Sequence, residues 1–375
     1  MVWAFHWRRL PGADSCTPRM LAGSSNISAF KILSNGALMA ITGSPFPAGG
    51  TPDGIKVTPN GKFLSVALFN SNSVAMFRIG PTGALTSVPG SPFAQGGTTN
   101  AADVDINCKS KLLFCSHATF GPTTVSVATI ASNGALTPIA GSPFTFAPGI
   151  NSNVGVLAPD ERHLFVSNQS SNTITSLDVA SGGSLTQETG SPFANPGGLF
   201  PSGMGTNREG NLLYAANFNE MVTGFHIDSD GGLTPVTGSP FPTGVGGFGL
   251  LSLTVFPAKP VEGEGDELGD DGHKGHFEFE AERECEDSGE MEFEDDSGKG
   301  MKGSVKAVTV AGNTAIITGS GTLLDGTPLQ YTAVVLGNAP VIGANHFAIS
   351  WITSTGSVFQ TSGALTNGYI AVHTK

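Results

Sequence analysis

Charged residues make up only 13% of this chain of 375 residues, and the few that matter are badly spread. Between positions 262 and 299 there are 17 acidic residues against Lys274, Arg283 and Lys299, a net −14 that leaves the rest of the chain at about +2. No basic stripe or polybasic cluster exists, so a nucleic-acid partner is excluded. No stretch approaches the roughly 18 consecutive apolar residues that a spanning helix needs, so no membrane span is expected. Residues 1–22 carry Arg8 and Arg9 but no apolar core, so no signal peptide is read there. The four cysteines, Cys16, Cys108, Cys115 and Cys285, fall in no metal-binding or redox spacing. Cys108 and Cys115 flank a tight turn and are expected as buried free thiols. Helical periodicity is also missing, while Gly at 52 and Pro at 24 mark a chain of many turns.

What is abundant is repetition. Gly-Ser-Pro-Phe occurs at 43–46, 90–93, 141–144, 190–193 and 238–241, at intervals of 47, 51, 49 and 48 residues. A Gly-Ala-Leu or Gly-Gly-Leu turn precedes several copies, as at Gly36, Gly83 and Gly134. One unit resolves into short β-branched or alternating runs at 54–58, 63–68, 73–79 and 85–88, separated by turns such as Pro59-Asn60-Gly61. Four strands in each unit of forty to fifty residues is the arithmetic of a β-propeller blade. The Phe of each motif is expected between neighbouring blades, and its Pro at the end of an outer strand.

The repeats count to about five blades. Residues 26–32 and 38–42 supply two strands of an incomplete one, with 19–22 as a poor second strand. A last strand at 250–255 is expected to complete that blade and so cover two open sheet edges. The chain is accordingly divided into an irregular segment at 1–19, the propeller at 20–257, an acidic Gly-rich linker at 258–275 and a C-terminal β-domain at 276–375. In the last, Phe277, Phe279 and Ala281 alternate with glutamates, and later apolar runs with intervening turns predict a small sandwich or barrel. An N-terminus that enters in mid-blade also raises the expectation of a truncated, inactive product.

Phrases such as Pro59-Asn60-Gly61-Lys62-Phe63 and Leu164-Phe165-Val166-Ser167-Asn168 resemble the YVTN-type, lactonase-like bacterial propeller family over about residues 20–257. The C-terminal stretch, with Gln330-Tyr331-Thr332-Ala333 and Asn367-Gly368-Tyr369-Ile370-Ala371, is similar to the post-COAP domain of bacterial surface proteins. These resemblances imply an exported protein, at the cell surface, outside the cell or in the periplasm. For the lactonase-like enzymes they imply seven blades.

Chemistry is harder to find. The loops leading into the first strand of each blade hold Gly, Asn, Thr and Pro, with Asp53, Asp103 and Asp105 as the acids near the first two. These three are candidates for a shared catalytic or Ca²⁺ site, with turn capping as the alternative role. His273 and His276, among Asp270, Asp271 and Glu278, are the other metal candidates, although their spacing matches no structural zinc pattern. His117 is read as a surface-loop residue, and His163, standing where Phe63 stands in its repeat, as half-buried. No GxSxG or Ser-His-Asp arrangement is present, so no catalytic set is named and no cofactor is predicted. The reading is a monomeric, noncatalytic platform for a protein or glycan ligand. The alternative is a hydrolase of a sugar lactone, of the 6-phosphogluconolactonase type. Convergence of charged side chains at the mouth of the propeller separates the two.

Overall fold

The computed structural model describes residues 2–4, 25–32, 37–96, 100–118, 120–207, 209–244, 253, 261–283 and 287–373. Two compact units divide the chain, residues 1–255 and 256–375. The first holds five antiparallel sheets and the second a closed barrel, so the chain is all-β as expected.

The four complete sheets repeat one plan. In the first of them, blade II, Pro52–Val57, Phe63–Leu68 and Ser73–Ile79 pair in order, and an outer strand follows in two pieces, Leu85–Ser87 and Phe93–Ala94. Blade III spans 100–146, blade IV 152–194 and blade V 201–242. Gly-Ser-Pro-Phe therefore interrupts the outer strand rather than ending it. Its Ser explains why the motif recurs. Ser44, Ser91, Ser142, Ser191 and Ser239 each accept a hydrogen bond from a backbone N–H of the strand alongside, at 2.9–3.0 Å, filling the gap the interruption leaves in the ladder. All five Ser-Pro bonds are cis.

The second strand of blade II is buried along its whole length, because neighbouring sheets cover both of its faces. Each apolar cluster of this unit joins two blades. One runs from Phe63, Val74 and Met76 of blade II to Val104, Leu113 and Ile130 of blade III, with Phe93 packed against it. Turn glycines seal these joints. Gly134 of blade III lies on Phe63 of blade II, and Gly183 of blade IV lies on Leu112 of blade III, both at positive φ. The first strands of blades II to V pack beside one another in sequence order.

Residues 26–32, with 38–40 and 46–47, form the first sheet, and its neighbour on the other side is Val2–Ala4. The strand expected at 19–22 lies outside the described residues, as does most of 250–255, so the closure expected there is not described.

The C-terminal unit is a closed barrel of eight antiparallel strands. Its first strand, Val261–Gly269, lies in the segment expected to be a linker. The correction has a simple cause. Val261, Gly263, Gly265 and Glu267 alternate with acids, so the strand carries a period of two in which glycine replaces the usual apolar residue. Large rings need that space, since a Cβ on Gly263 would stand 2.8 Å from Phe279. Inside, Phe277 and Phe347 stack at 4.2 Å, with Phe279, Phe293 and Trp351 around them.

Outside, like charges face each other. Glu264 pairs with Glu278 and Glu278 with Glu292, while Glu262 opposes Glu280 and Glu280 opposes Glu290. Lys302 contacts Glu292 at one edge. Directly opposed like charges destabilise a sheet. Replacing Glu278, flanked on both sides, by Lys should therefore stabilise the barrel by about 0.5–1 kcal/mol. Chemical denaturation of the full chain reads this, and an unchanged midpoint would mean that solvent already screens the face.

Candidate acid–base site on the inner strands

Each first strand opens with a bulge, between Pro52 and Ile55, Ala101 and Asp103, Ser152 and Gly155, and Pro201 and Gly203. A bulge re-aims the side chains around it. In blades II and III it carries Asp53 and Asp103, so two of the predicted acids land on neighbouring inner strands. Asp103 lies directly against Gly54, and a side chain there would collide with it. The register of the two strands thus brings blade III's carboxyl onto blade II.

Asp105, the third predicted acid, does different work. It pairs with Lys56 of blade II at 3.0 Å and accepts the N–H of Leu157 of blade IV at 2.9 Å and that of Ile106 at 2.8 Å. It ties three blades together, and both of its oxygens are occupied. None of these contacts is the turn cap considered from sequence.

Asp53 and Asp103 have no such set of donors. Burial raises Asp53 to about 7. Burial likewise raises Asp103 to about 7; the N–H of Val104 opposes this, the charges of Asp105 and Asp53 add to it, and Lys56 opposes it more weakly. Both stay half-buried, within reach of water. Burial raises both carboxyls, and the charge of Asp53 adds to the shift of Asp103, so one can be ionised while the other keeps its proton. Such a pair can take a proton from water at one oxygen and deliver one at another.

His117 is a correction. It is fully buried, and its Nε2 lies 2.6 Å from Ser126 Oγ, which donates to the carbonyl of Gln95 in blade II. Asn168 and Asn217 occupy the matching positions. Asn168 accepts from Thr123 of blade III at 2.7 Å, and Asn217 accepts from Asn195 of blade IV at 2.7 Å. This buried polar belt joins blades, and sequence alignment of the repeats could have found it from the shared position. His163 is also fully buried rather than half-buried, stacked near Phe165.

Among the described residues, His273 and His276 do not come together with a third ligand. His273 pairs with Asp296 at 2.7 Å, and His276 pairs with Asp266 at 2.9 Å. Both histidines and Asp296 are exposed and Asp266 is half-buried, and each histidine holds its aspartate below the usual range. Cys115 is a buried free thiol opposite Val104 as expected, whereas Cys108 is disulfide-bonded, contrary to expectation. Turn spacing on one hairpin carries no information about distant partners.

The family described as a lactonase, a seven-bladed β-propeller, matches residues 123–247. Over those residues the chain is similar to that family. A periplasmic gluconolactonase from Pseudomonas aeruginosa is similar in structure, with a TM-score of 0.50 at 14% identity over 94% of this chain and 97% of that one. A Bacteroides uniformis structure, provisionally named a 6-phosphogluconolactonase, aligns with a TM-score of 0.50 at 15% identity over 93% and 96%. At such identities the likeness is one of fold. No curated protein matches in sequence. Among the described residues five propeller sheets are seen, against seven blades in the family's description. No helix among them is long and apolar enough to cross a membrane.

Proposed function

We propose that the propeller hydrolyses sugar lactones, with Asp53 and Asp103 as its acid–base pair. The observation that carries this reading is that the bulges and register of two adjacent inner strands bring Asp53 and Asp103 together half-buried, where burial raises both carboxyls. It is the convergence of charge that separates an enzyme from a passive platform. The lactonase family match and the neighbour named as a gluconolactonase support it.

In this reaction the ionised member of the pair takes a proton from water, whose oxygen bonds to the lactone carbonyl carbon. The ring C–O bond then breaks, and the protonated member gives its proton to the departing oxygen. The product is the open hydroxy acid. Asp53, Asp103 and Asp105 outweigh Lys56 in charge, so a neutral lactone is a better substrate than a phosphorylated one. We place the protein outside the cytoplasm, a reading supported by the Cys108 disulfide and the periplasmic neighbour. We assign the barrel the anchoring or adhesion role that its post-COAP-like sequence suggests.

The test is turnover of gluconolactone and 6-phosphogluconolactone by purified full chain, above the spontaneous rate. The expected result is faster hydrolysis of the unphosphorylated lactone, with a bell-shaped kcat/KM centred near pH 7. Absence of turnover on either lactone would remove the enzyme reading and leave a noncatalytic platform for a protein or glycan.

A further inference from the structure

Blade IV departs from its siblings at three positions that meet in space. The second strand carries Phe63 in blade II, Leu112 in blade III and Leu212 in blade V, and His163 in blade IV. The residue directly opposite on the third strand is Arg78, Thr129 or His226 in the siblings and Asp178 in blade IV. The outer strand is followed by Val88, Ile139 or Val236, whose N–H bonds to the third strand, and in blade IV by Glu188. In blade II these positions are ordinary packing, with Arg78 over the ring of Phe63 at 5.2 Å and Val88 buried. In blade IV all three are metal-ligand types.

They are also close. A ring nitrogen of His163 and a carboxylate oxygen from each of Asp178 and Glu188 lie within 4.8 Å of one another. His163 is 3% exposed, while the two carboxylates are half-buried, which leaves a path from solvent. Asp160 lies 3.1 Å from Nδ1 of His163, and in the tautomer that donates to it Nε2 carries the lone pair. A carboxylate on the far nitrogen is the outer-shell partner that metal-bound histidines commonly have. The joint gathers Asp160, Asp178 and Glu188 around one imidazole, an excess of acidic groups that a cation would relieve. Gly231 of blade V closes it from above, in the way Gly134 covers Phe63.

We infer that His163, Asp178 and Glu188 form a binding site for a divalent transition metal at the joint between blades IV and V. One nitrogen and two carboxylate oxygens suit Zn²⁺ or Mn²⁺, whereas Ca²⁺ prefers oxygen alone. The ion ties the second, third and outer strands of blade IV together beside the turn of blade V. The site is separate from the inner-strand carboxyls and does not depend on lactone chemistry.

The experiment is calorimetric titration of chelator-treated full chain with Zn²⁺, with Mn²⁺ and Ca²⁺ for comparison, alongside thermal melts. Zn²⁺ is expected to bind at one ion per chain and raise the melting midpoint, since a ligand held only by the folded state stabilises it. Glu188→Gln, at a half-exposed position, should weaken binding at least about 10-fold with the metal-free midpoint unchanged. His163→Leu installs the residue that blades III and V carry and should abolish binding while the chain still folds. His273→Ala with His276→Ala should leave the affinity intact. Zn²⁺ binding that survives both blade IV variants, or that disappears with the His273 and His276 pair, overturns the assignment, as does no saturable Zn²⁺ binding.

Discussion

Replacing Asp103 by Asn should lower kcat for lactone hydrolysis by about 10²- to 10⁴-fold, the range lost when a general acid or base is removed. The same substitution should make the propeller more stable above neutrality. Asp103 is raised to about 7 in the folded chain from an ordinary carboxylate value of 3.8. Below that ordinary value both states carry the proton, and the group has no effect on stability. Between about pH 4 and 7 the native state keeps a proton that the unfolded chain has released, so stability falls as pH rises. Above 7 the full cost of a buried charge is present. A shift of this size would correspond to about 4 kcal/mol at 1.36 kcal/mol per pH unit, and solvent at a half-exposed carboxyl reduces it to about 1–2 kcal/mol. Asn cannot ionise and removes the cost. Denaturant unfolding should therefore show Asp103→Asn ahead of the parent at pH 8 and level with it at pH 3.5. A variant that keeps full turnover would take Asp103 out of the reaction. Combined with Asp53→Asn, the losses should fall short of additive, because the two carboxyls act as a unit in one reaction.

Truncating Phe347 to Ala should cost the barrel about 3–5 kcal/mol. Phe347 is fully buried and central to the interior. It stacks on Phe277 at 4.2 Å and 4° and lies 6.1 Å from Phe279 and 6.0 Å from Phe293. Neighbouring rings stacked from several strands cannot collapse into the gap without leaving their own contacts. Trp351, stacked on Phe359 at 4.0 Å, reports on this unit. With Trp3 and Trp7 changed to Phe, its fluorescence in denaturant should show the barrel unfolding well before the parent. A loss below about 1 kcal/mol would mean that the interior rearranges freely.

Several features were legible before any coordinates because they repeat or alternate. The period of Gly-Ser-Pro-Phe located the blades, and the alternation of Phe277, Phe279 and Ala281 with glutamates located a barrel hairpin. The first barrel strand at 261–269 was hidden because glycines stand at its inward positions, where an apolar residue would have marked the pattern. Asp53, Asp103 and Asp105 were singled out as acids in a place almost free of charge. Their separate roles were not, since Asp105 pairs with Lys56 and accepts an N–H from blade IV, while Asp53 and Asp103 lack such a set of partners.

By itself, then, the amino-acid sequence determined the all-β class, the repeat length and the scarcity of charge, because these depend on period and composition along the chain. Only the tertiary structure decided which acids are held half-buried with raised carboxyls and which become staples. It also brought His163, Asp178 and Glu188 to one point across three strands. Protonation and metal affinity depend on burial and on neighbours from other blades, and those are set by how strands pair and sheets pack.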